Sequence, residues 1–419
     1  MKNSERYEIK DIKLADQGKL NIELAENKMN AMLSIKKRFE KEKPFKGLRI
    51  GLALHITKET AVLVRTLVAG GAKVAIASCN PLSTQDDVAA ALAAEGVNVF
   101  GYKGEDVKHY YKFINRVIST RPNITIDDGC DLVTEIHKKH PSLIASIMGG
   151  CEETTTGVIR LRAMEKASKL KYPVIAVNDN KTKHLLDNYY GTGQSTMDGI
   201  IRATSTLIAG KTFVIAGYGD CGKGAALRAK GMGANVIITE VDHFKALQAA
   251  LDGFRVMPMA QAARLGDLFL TVTGDIKVIT LNHIRKMKDG AILANSGHFD
   301  AEIDVKSLNK SYRKRRMRDF LDEYHVNGRR IYLCAQGRLV NLSAAEGHPS
   351  EVMATSFAGQ ALACEYLVKN RNSLKVGVIM LPNKIDEDIA KLQLETLGMK
   401  IDTLTTEQKR YLSSWDTGT

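Results

Sequence analysis

The stretch Gly217-Tyr218-Gly219-Asp220-Cys221-Gly222 decides the fold of this chain because of the elements that surround it. An apolar run over 212–216 precedes it, and a helix-like segment ending near Gly233 follows it. A second apolar run, 235–239, then leads to Glu240, which lies 18 residues after the third glycine. A strand, a glycine-rich turn, a helix and a second strand ending in an acid are typical of a dinucleotide-binding unit.

Each glycine of this fingerprint has a separate physical role. Gly217 permits a tight turn, Gly219 lets the backbone approach a pyrophosphate, and Gly222 allows close helix packing. The N-terminus of the following helix presents N–H groups to the phosphates. Glu240 is expected to accept hydrogen bonds from the adenosine ribose, which favours NAD over NADP. The predicted cofactor contacts here are Gly217, Gly219, Asp220, Cys221, Gly222 and Glu240.

The composition indicates a globular chain of two domains. Its 419 residues are 44% hydrophobic and 26% charged, and the chain is too long for one ordinary core. No apolar stretch approaches the roughly 20 residues that span a bilayer, and the start has no apolar signal core, so we expect no membrane partner and a cytoplasmic location. The six cysteines show no metal-ligand spacing, which favours reduced thiols and no structural metal.

The formal net charge of +13 raises the question of a nucleic-acid partner. The densest basic cluster, 313–318, contains few apolar residues and is accompanied by no nucleic-acid-binding motif. We therefore expect this cluster to be a solvated helix face, and we predict no nucleic-acid partner.

Two α/β halves follow from the order of apolar runs and helical patterns. A polar helical region over 20–43 opens the first half. The strands of that half are expected at 48–54, 73–77, 97–100, 124–126, 143–147 and 174–177. Those of the second half are expected at 212–216, 235–239, 268–272, 291–294 and 331–335. Because helical patterns separate these short runs, we predict two doubly wound parallel sheets of the Rossmann-like α/β class.

Polar clusters at 179–188 and 341–349 flank the second half, so we predict that it is inserted into the first. The expected domains are a substrate-binding and catalytic domain at 1–184 and 350–397, an NAD-binding domain at 185–349, and a short C-terminal tail at 398–419. Two crossings of the chain would make a hinge with a cleft between the domains.

Polar side chains gather where the strands of the first half end. They are His55, Thr57 and Glu59; Asp127 and Asp128; Glu152, Glu153 and Thr154 to Thr156; and Asp179, Lys183, Asp187 and Asn188. Any one of them alone has an ordinary structural explanation, such as a helix cap, a turn or a surface charge. Four clusters on successive strand ends of one sheet favour a ligand site, because ligands bind at the carboxyl ends of parallel strands.

Several longer motifs occur in one order along the chain. They are Ser83-Thr84-Gln85-Asp86, Asp127-Asp128-Gly129, Glu152-Glu153-Thr154-Thr155-Thr156-Gly157, Gly217-Tyr218-Gly219-Asp220, Gly297-His298-Phe299-Asp300 and Gly337-Arg338-Leu339-Val340-Asn341-Leu342. From about Tyr7 to Tyr411 the chain closely resembles the S-adenosylhomocysteine hydrolase family in its shorter archaeal-type form.

The resemblance explains why a hydrolase would keep NAD. A thioether at an sp³ carbon is a poor target for water, whereas oxidation of ribose C3' to a ketone acidifies the C4' hydrogen. Homocysteine can then leave by elimination, water can add to the enone, and reduction at C3' releases adenosine and leaves tightly bound NAD as it began. The resemblance thus implies reversible hydrolysis of S-adenosyl-L-homocysteine to adenosine and L-homocysteine, within the activated methyl cycle.

The same resemblance implies roles for the polar residues. Lys183, oriented by Asp187, would take the 3'-hydroxyl proton, which requires a lowered pKa. Glu153 would hold the ribose hydroxyls. His55 and Asp128 would be the acid/base pair at C5', and the group that removes the C4' proton is left open.

Further matches concern the base and the cofactor. Thr57 and Glu59 resemble contacts to the base edge, while His298, counted with the catalytic residues, and His348 resemble cleft residues near the substrate. The remaining cofactor contacts are Thr154, Thr155, Thr156, Asn188 and Asn341. A Glu59 carboxylate can accept from the 6-amino group of adenine but not from the 6-oxygen of hypoxanthine, so an adenosyl substrate is expected over an inosyl one.

Two alternatives remain at the level of sequence. An ordinary NAD-dependent dehydrogenase would share the fingerprint, and a non-catalytic NAD-binding relative would lack some of the polar residues. The chain also departs from the family at Thr192, where a cysteine is frequent, at Cys130, where glycine is common, and at Glu346, where an apolar residue is usual. The resemblance implies a homotetramer, but many relatives have a longer tail than the one that stops at Thr419.

Overall fold

Two separate eight-stranded sheets organise the computed structural model, which describes residues 6–416. The first sheet is built from β1 (Tyr7–Glu8), β2 (Arg49–Ala53), β3 (Lys73–Ala77), β4 (Asn98–Phe100), β5 (Ile124–Asp127), β6 (Gly149–Glu152) and β7 (Pro173–Ala176). The second contains β8 (Thr212–Ala216), β9 (Asn235–Thr239), β10 (Arg255–Val256), β11 (Leu268–Thr271), β12 (Ala291–Asn295), β13 (Lys314–Arg318), β14 (Leu321–Val326) and β15 (Arg329–Cys334). The chain then returns to the first sheet with β16 (Gly377–Ile379).

The strand orders are those of doubly wound sheets. The first sheet has the order β1-β4-β3-β2-β5-β6-β7-β16 and is parallel throughout. The second has the order β10-β9-β8-β11-β12-β15-β14-β13 and is parallel from β10 to β15. Its last two strands pair antiparallel, which the sequence did not predict. The predicted insertion of one sheet between two strands of the other is confirmed, although the exact domain limits stay a prediction.

Helices cover both faces of each sheet. In chain order they are α1 (Ala15–Glu26), α2 (Asn30–Glu42), α3 (Lys58–Ala69), α4 (Asp86–Ala94), α5 (Val107–Ser119), α6 (Asp131–Lys139), α7 (Thr155–Lys166), α8 (Thr192–Thr204), α9 (Asp220–Gly231), α10 (His243–Leu251), α11 (Met259–Ala262), α12 (Leu281–Ile284), α13 (Val305–Ser311), α14 (Val340–Ser343), α15 (Ser350–Asn370), α16 (Asn383–Thr396) and α17 (Thr406–Ser413). A π-helix, Lys183–Gly191, precedes α8. No helix of residues 6–416 is long and apolar enough to cross a bilayer.

The core lies in four layers, one on each face of each sheet. Alternate strand residues of the first sheet point to opposite layers, so that Leu52 and Ile76 pack in one cluster while Ala75 and Val174 pack in the other. The second sheet is covered in the same way. Strands buried on both faces read as continuous apolar runs, which is why the sequence located most of them.

Three sequence-based expectations were wrong in detail. The apolar run 143–147 is not a strand but follows Pro141 in a 3₁₀ helix, Pro141–Ser146. The strand is Gly149–Glu152, whose glycine is needed because a Cβ at Gly149 would lie 2.6 Å from Leu367 Cδ2 of α15. The polar region 20–43 is divided into two helices, α1 and α2.

The basic cluster was the third error, because it forms the exposed edge strand β13 and not a helix. Its Arg315 and Arg316 pair with Glu323 and Asp322 of β14 at 2.7 and 2.5 Å. Charged side chains on an edge strand also discourage pairing with another sheet.

Candidate functional site

A cleft of about 1050 Å³ lies between the two sheets and collects the predicted site residues. The order of the first sheet reverses between β2 and β5, and that of the second between β8 and β11. Ligands of open α/β sheets bind at such reversals, beyond the carboxyl ends of the strands. Both reversals face this one cleft, whose volume is at the upper end of the roughly 300–1,000 Å³ usual for small-molecule sites. All the residues predicted to act in catalysis or to bind substrate or cofactor line it except Gly222, whereas Asp127 and Glu152 of the strand-end clusters do not.

Lys183 is at the centre of the first charged cluster. The π-helix places its Nζ 2.6 Å from Asp187 Oδ2, four residues on, and 2.7 Å from Asn188 Oδ1, five residues on. Glu153 Oε1 lies 3.5 Å from the same Nζ. π-Helical turns often occur at functional sites, and here the turn brings Lys183, Asp187 and Asn188 to one point.

The charge state of this cluster differs from the sequence-based expectation. Burial lowers the pKa of Lys183, but the carboxylates of Asp187 and Glu153 outweigh burial and raise the pKa above its usual value. Burial raises the pKa of Glu153, against the opposing charge of Lys183. For Asp187 burial is outweighed by Lys183 and His348, and its pKa is lowered. The protein alone therefore holds Lys183 as an ammonium, and the expected lowering of its pKa is not met.

His348 extends the cluster toward the second sheet. Its Nδ1 lies within hydrogen-bond distance of Asp187 Oδ1. Its Nε2 lies 3.2 Å from Asn341 Nδ2 and 3.3 Å from Thr192 Oγ1. The Asn341 side-chain carbonyl oxygen is buried and has no hydrogen-bond partner among the described residues, so it is available to a ligand donor.

A second cluster joins His55, Asp128 and His298. His55 Nε2 lies 3.4 Å from Asp128 Oδ2, and His298 Nδ1 lies 3.4 Å from Asp128 Oδ1. Burial lowers the pKa of His55 to about 4 and lowers that of His298, so both rings are uncharged near pH 7. Their ligand atoms lie within 4.8 Å of one another, a spacing that a metal ion could bridge, and the expected absence of a metal stays a prediction.

The base-edge candidates lie at the start of α3. Thr57 is its N-cap and accepts from Thr60 N, while Glu59 is buried in the first turn. Glu59 Oε1 accepts a hydrogen bond from Ser350 Oγ at 2.7 Å. The residues that the structure describes form no hydrogen bond to its other oxygen, which leaves an acceptor at the wall of the cleft.

The glycine fingerprint forms the turn between β8 and α9. Gly217 has φ +103°, and a Cβ at Gly222 would lie 2.1 Å from Gly217 O, so both positions require glycine. No described atom lies within 4 Å of a Cβ added at Gly219, whose open side faces the cleft. Glu240 accepts from Tyr218 N and Val241 N at 2.7 Å and so is held fixed just beyond the carboxyl end of β9.

These features fit a bound dinucleotide. A helix N-terminus, an open glycine and an acid follow one another as a pyrophosphate and a ribose require. Thr154 caps α7 and accepts from Thr156 N at 2.9 Å, which orders the threonine run on the opposite wall. Thr155 Oγ1 donates to Asn178 Oδ1 at 3.1 Å, which also accepts from Asn188 Nδ2 at 3.2 Å.

Comparison with known proteins agrees with this geometry. The profile of "S-adenosyl-L-homocysteine hydrolase, NAD binding domain" matches residues 188–347, and that of "S-adenosyl-L-homocysteine hydrolase" matches residues 6–141. The adenosylhomocysteinases of Aquifex aeolicus and Saccharolobus solfataricus are each 57% identical over 416 residues, covering 99% of this chain and 100% of the relative. The S-inosyl-L-homocysteine hydrolase of Methanocaldococcus jannaschii is 55% identical over 414 residues, with 99% and 100% covered.

The chain belongs to the S-adenosyl-L-homocysteine hydrolase family. It is an NAD-dependent enzyme that hydrolyses S-adenosyl-L-homocysteine to adenosine and L-homocysteine.

The departures from the family pattern have visible surroundings. Thr192 Oγ1 lies 3.5 Å from Cys221 Sγ, so a hydroxyl stands beside the fingerprint thiol. Cys130 has φ +65°, a left-handed conformation in which glycine is unstrained and a side chain costs roughly 1–2 kcal/mol. Glu346 pairs with Lys58 at 2.8 Å.

Some supporting residues were missed by sequence reasoning. Ser356 and Gln360 of α15 donate to the two oxygens of Glu153, at 2.6 and 2.5 Å. Their spacing of four places them on one helix face, but nothing in the sequence shows which strand that face meets. His184 Nδ1 lies 3.0 Å from Asp220 Oδ2 and joins the π-helix to the fingerprint.

Two buried carboxyl groups, those of Glu152 and Asp127, lie behind the cleft. Glu152 Oε1 accepts from Gly129 N at 2.9 Å and from Thr154 N at 3.0 Å, so it fixes the loops after β5 and β6. Asp127 accepts from Asp128 N at 3.0 Å. Burial raises the pKa of Asp127 to about 7 and that of Glu152 well above its usual value.

Proposed function

We propose that the two side-chain clusters carry out successive parts of the hydrolase reaction. When bound, NAD supplies the hydride acceptor for oxidation at ribose C3' and returns the hydride at the end of the turnover. The contact that supports this proposal most strongly is Lys183 Nζ at 2.6 Å from Asp187 Oδ2, in the cleft that the fingerprint borders.

Lys183 is the proposed base for the 3'-hydroxyl proton. Its raised pKa means that the resting protein holds an ammonium, so the uncharged form needs another positive charge nearby in the loaded enzyme. Asp187, held between Lys183 and His348, orients the amine. Glu153, with its two donors on α15, is proposed to accept from the ribose hydroxyls.

His55, Asp128 and His298 are proposed to act at C5'. The two rings are uncharged at neutral pH, so either can accept a proton from water, and Asp128 stabilises the imidazolium that results. His55 Nδ1 lies 2.7 Å from Ser83 Oγ, which fixes the ring plane. The geometry leaves Asp128 and the two rings as candidates for C4' proton removal.

Thr57 and Glu59 are proposed to read the base. The free oxygen of Glu59 is a hydrogen-bond acceptor and matches the 6-amino group of adenine. The alternative is an inosyl substrate, which the name of the Methanocaldococcus jannaschii relative states for that protein. A higher kcat/KM for S-inosylhomocysteine than for S-adenosylhomocysteine would reject the adenosyl preference.

The cofactor contacts follow from the fingerprint turn. The fingerprint glycines with Asp220 and Cys221 are proposed to hold the pyrophosphate, and Glu240 the ribose. Thr154, Thr155, Thr156, Asn188 and Asn341 are proposed to face the nicotinamide end. The unpaired Asn341 oxygen supports this assignment.

The quaternary state and location belong to the same proposal. The tail helix α17 is exposed along its length, and Trp415 beyond it is 96% exposed. We infer a cytoplasmic homotetramer in which this tail contacts a second copy. Sedimentation of the holoenzyme tests the tetramer, and a monomer would reject it.

The reaction assay separates the hydrolase from its alternatives. Purified holoenzyme is incubated with S-adenosylhomocysteine and a thiol reagent, and thiol and reduced nicotinamide are followed together. We expect many equivalents of thiol per subunit with no stoichiometric rise in reduced nicotinamide. A rise in reduced nicotinamide in step with turnover would indicate a dehydrogenase. No change in either thiol or reduced nicotinamide would indicate a binding protein. A 3'-deoxy substrate is the control and should be inert.

A further inference from the structure

Segment 343–346, which connects α14 to the return crossing, lies against the first half of the molecule. The carbonyl of Ser343 accepts from Lys103 Nζ at 2.7 Å, and the carbonyl of Glu346 accepts from Gln85 Nε2 at 3.4 Å. The Glu346 carboxylate accepts from Lys58 Nζ at 2.8 Å. Each of these three contacts joins the side that carries the second sheet to the side that carries the first, and Glu346 Oε1 also lies 3.9 Å from Arg202 Nη1 of its own side.

The three contacting side chains follow three neighbouring strands, and Lys58 is the first residue of α3. Lys58 follows β2, Gln85 follows β3 and Lys103 follows β4, and these strands are adjacent in the first sheet. Gln85 Oε1 also accepts from Lys58 N at 2.9 Å, which ties two of the loops together. We call Lys58, Gln85 and Lys103 the docking triad.

The triad is partly shielded from water. The Lys58 side chain is 12% exposed, whereas that of Glu346 is 60% exposed. Lys103 Nζ lies 4.7 Å from the centre of the Phe320 ring, a second contact to the opposite half. Burial lowers the pKa of Lys103, so this lysine rests on carbonyl and ring contacts and not on a close carboxylate.

Both ends of the docked segment lead into the cleft. Asn341 precedes it and His348 follows it, and both line the cleft. Gly347 between them has φ +84°, a turn that sends His348 back toward Asp187. Lys58 Nζ also lies 3.4 Å from Glu59 Oε1, so the same lysine touches the proposed base reader.

We propose that the docking triad is the closing contact between the two halves, and that Lys58 with Glu346 sets how firmly the cleft holds its substrate. The proposal rests on the proposed function for its kinetic consequence only. Loss of the contact favours an open cleft, from which substrate leaves before turnover. Lys58, Gln85 and Lys103 are positioning residues, because none of them is placed against the reacting atoms.

The test is a double-mutant cycle on the holoenzyme with Lys58→Gln, Glu346→Gln and the double variant. Exposed to half-buried ion pairs contribute little, so each single variant should raise KM for S-adenosylhomocysteine by about 2- to 5-fold with kcat nearly unchanged. The double variant should be no worse than either single one. Lys58→Arg, which keeps the positive charge and a side chain of similar length, should leave KM near the wild-type value.

A second readout does not depend on activity. Hydrogen–deuterium exchange of the peptide covering 341–349 should rise in both single variants and no further in the double variant. The matched control is Arg330→Gln and Asp289→Asn, which break an ion pair of 2.5 Å wholly within the second half. The control variants should leave KM and this peptide unchanged.

Additive effects of the two substitutions, or unchanged exchange at 341–349, would overturn the proposal. If the wild-type protein does not hydrolyse S-adenosylhomocysteine, the proposed function fails, whereas the exchange experiment still decides whether the contact closes the cleft.

Discussion

The two walls of the cleft differ in what they offer a ligand. The wall from the first sheet carries buried ionisable side chains in contact with one another, such as Lys183 with Asp187 and Asp128 with His55, and His298 of the second half reaches Asp128 from across the cleft. The wall from the second sheet offers glycines, a helix N-terminus and Glu240, which is held by backbone N–H groups. Proton transfer needs groups with shifted pKa values, whereas cofactor binding needs backbone that a phosphate can approach. The difference supports the proposal that one wall performs the bond chemistry and the other holds the cofactor.

The largest expected effect comes from the first wall. Lys183→Met should lower kcat by about 10²- to 10⁴-fold, the usual contribution of a positioned acid or base, while bound NAD per subunit stays near the wild-type value. The exposed Lys181→Met is the matched control. A kcat within 10-fold of wild type, with NAD retained, would show that another group takes the proton.

His55 tests the uncharged histidine of the same wall. Because its pKa falls from 6.5 to about 4 on folding, the unfolded chain binds the proton first as the pH drops. Stability from this group is present above about pH 6.5 and is lost between there and about pH 4. Between pH 7 and pH 4.5 the free energy of unfolding of His55→Gln should therefore fall by about 2–3 kcal/mol less than that of the wild type. Urea unfolding at saturating NAD measures these free energies. Equal decreases in the two proteins on acidification would contradict the prediction.

The second wall is tested by two glycines of the fingerprint. Gly219→Ala has room in the protein alone, so the NAD-free protein should keep its melting temperature while NAD binds at least about 10-fold more weakly. Gly222→Ala drives a Cβ into Gly217 O and should lower the melting temperature as well. Calorimetry and NAD titration separate the two. If Gly219→Ala binds NAD with wild-type affinity, the pyrophosphate does not lie against this glycine.

The smallest expected effect concerns the base. Glu59→Gln places an amide donor where the carboxylate accepted, so the ratio of kcat/KM for S-adenosyl- over S-inosylhomocysteine should fall by about 10-fold. Glu387→Gln, an exposed change on α16, is the control. An unchanged ratio of kcat/KM would show that Glu59 does not contact the edge of the base.

Much of the fold was readable because buried parallel strands are continuous apolar runs bounded by turns. The prediction at 143–147 failed because an apolar run after Pro141 continues as 3₁₀ helix, and the true strand is glycine-rich for the sake of packing against α15. The prediction of a helix at 313–318 failed because this edge strand has charged side chains and no apolar alternation. Its partners are the acidic residues of β14.

That the proposed site residues lie in one cleft could be predicted where they follow strands, because the carboxyl ends of parallel strands converge at one edge of the sheet. The raised pKa of Lys183 could not, because it depends on how closely the carboxylates of Asp187 and Glu153 approach the buried amine. Nor could Ser356 and Gln360, whose helix returns to the first sheet only after the second is complete.

The central claim is that oxidation and reduction at C3' frame the hydrolysis within one turnover. The direct measurement uses S-adenosylhomocysteine deuterated at C3', turned over by the holoenzyme, with the product adenosine examined by NMR. In ordinary water the adenosine should keep its deuterium at C3', and unlabelled substrate in heavy water should gain deuterium at C4'. Loss of the C3' label to solvent, or hydrolysis without exchange at C4', would contradict the account.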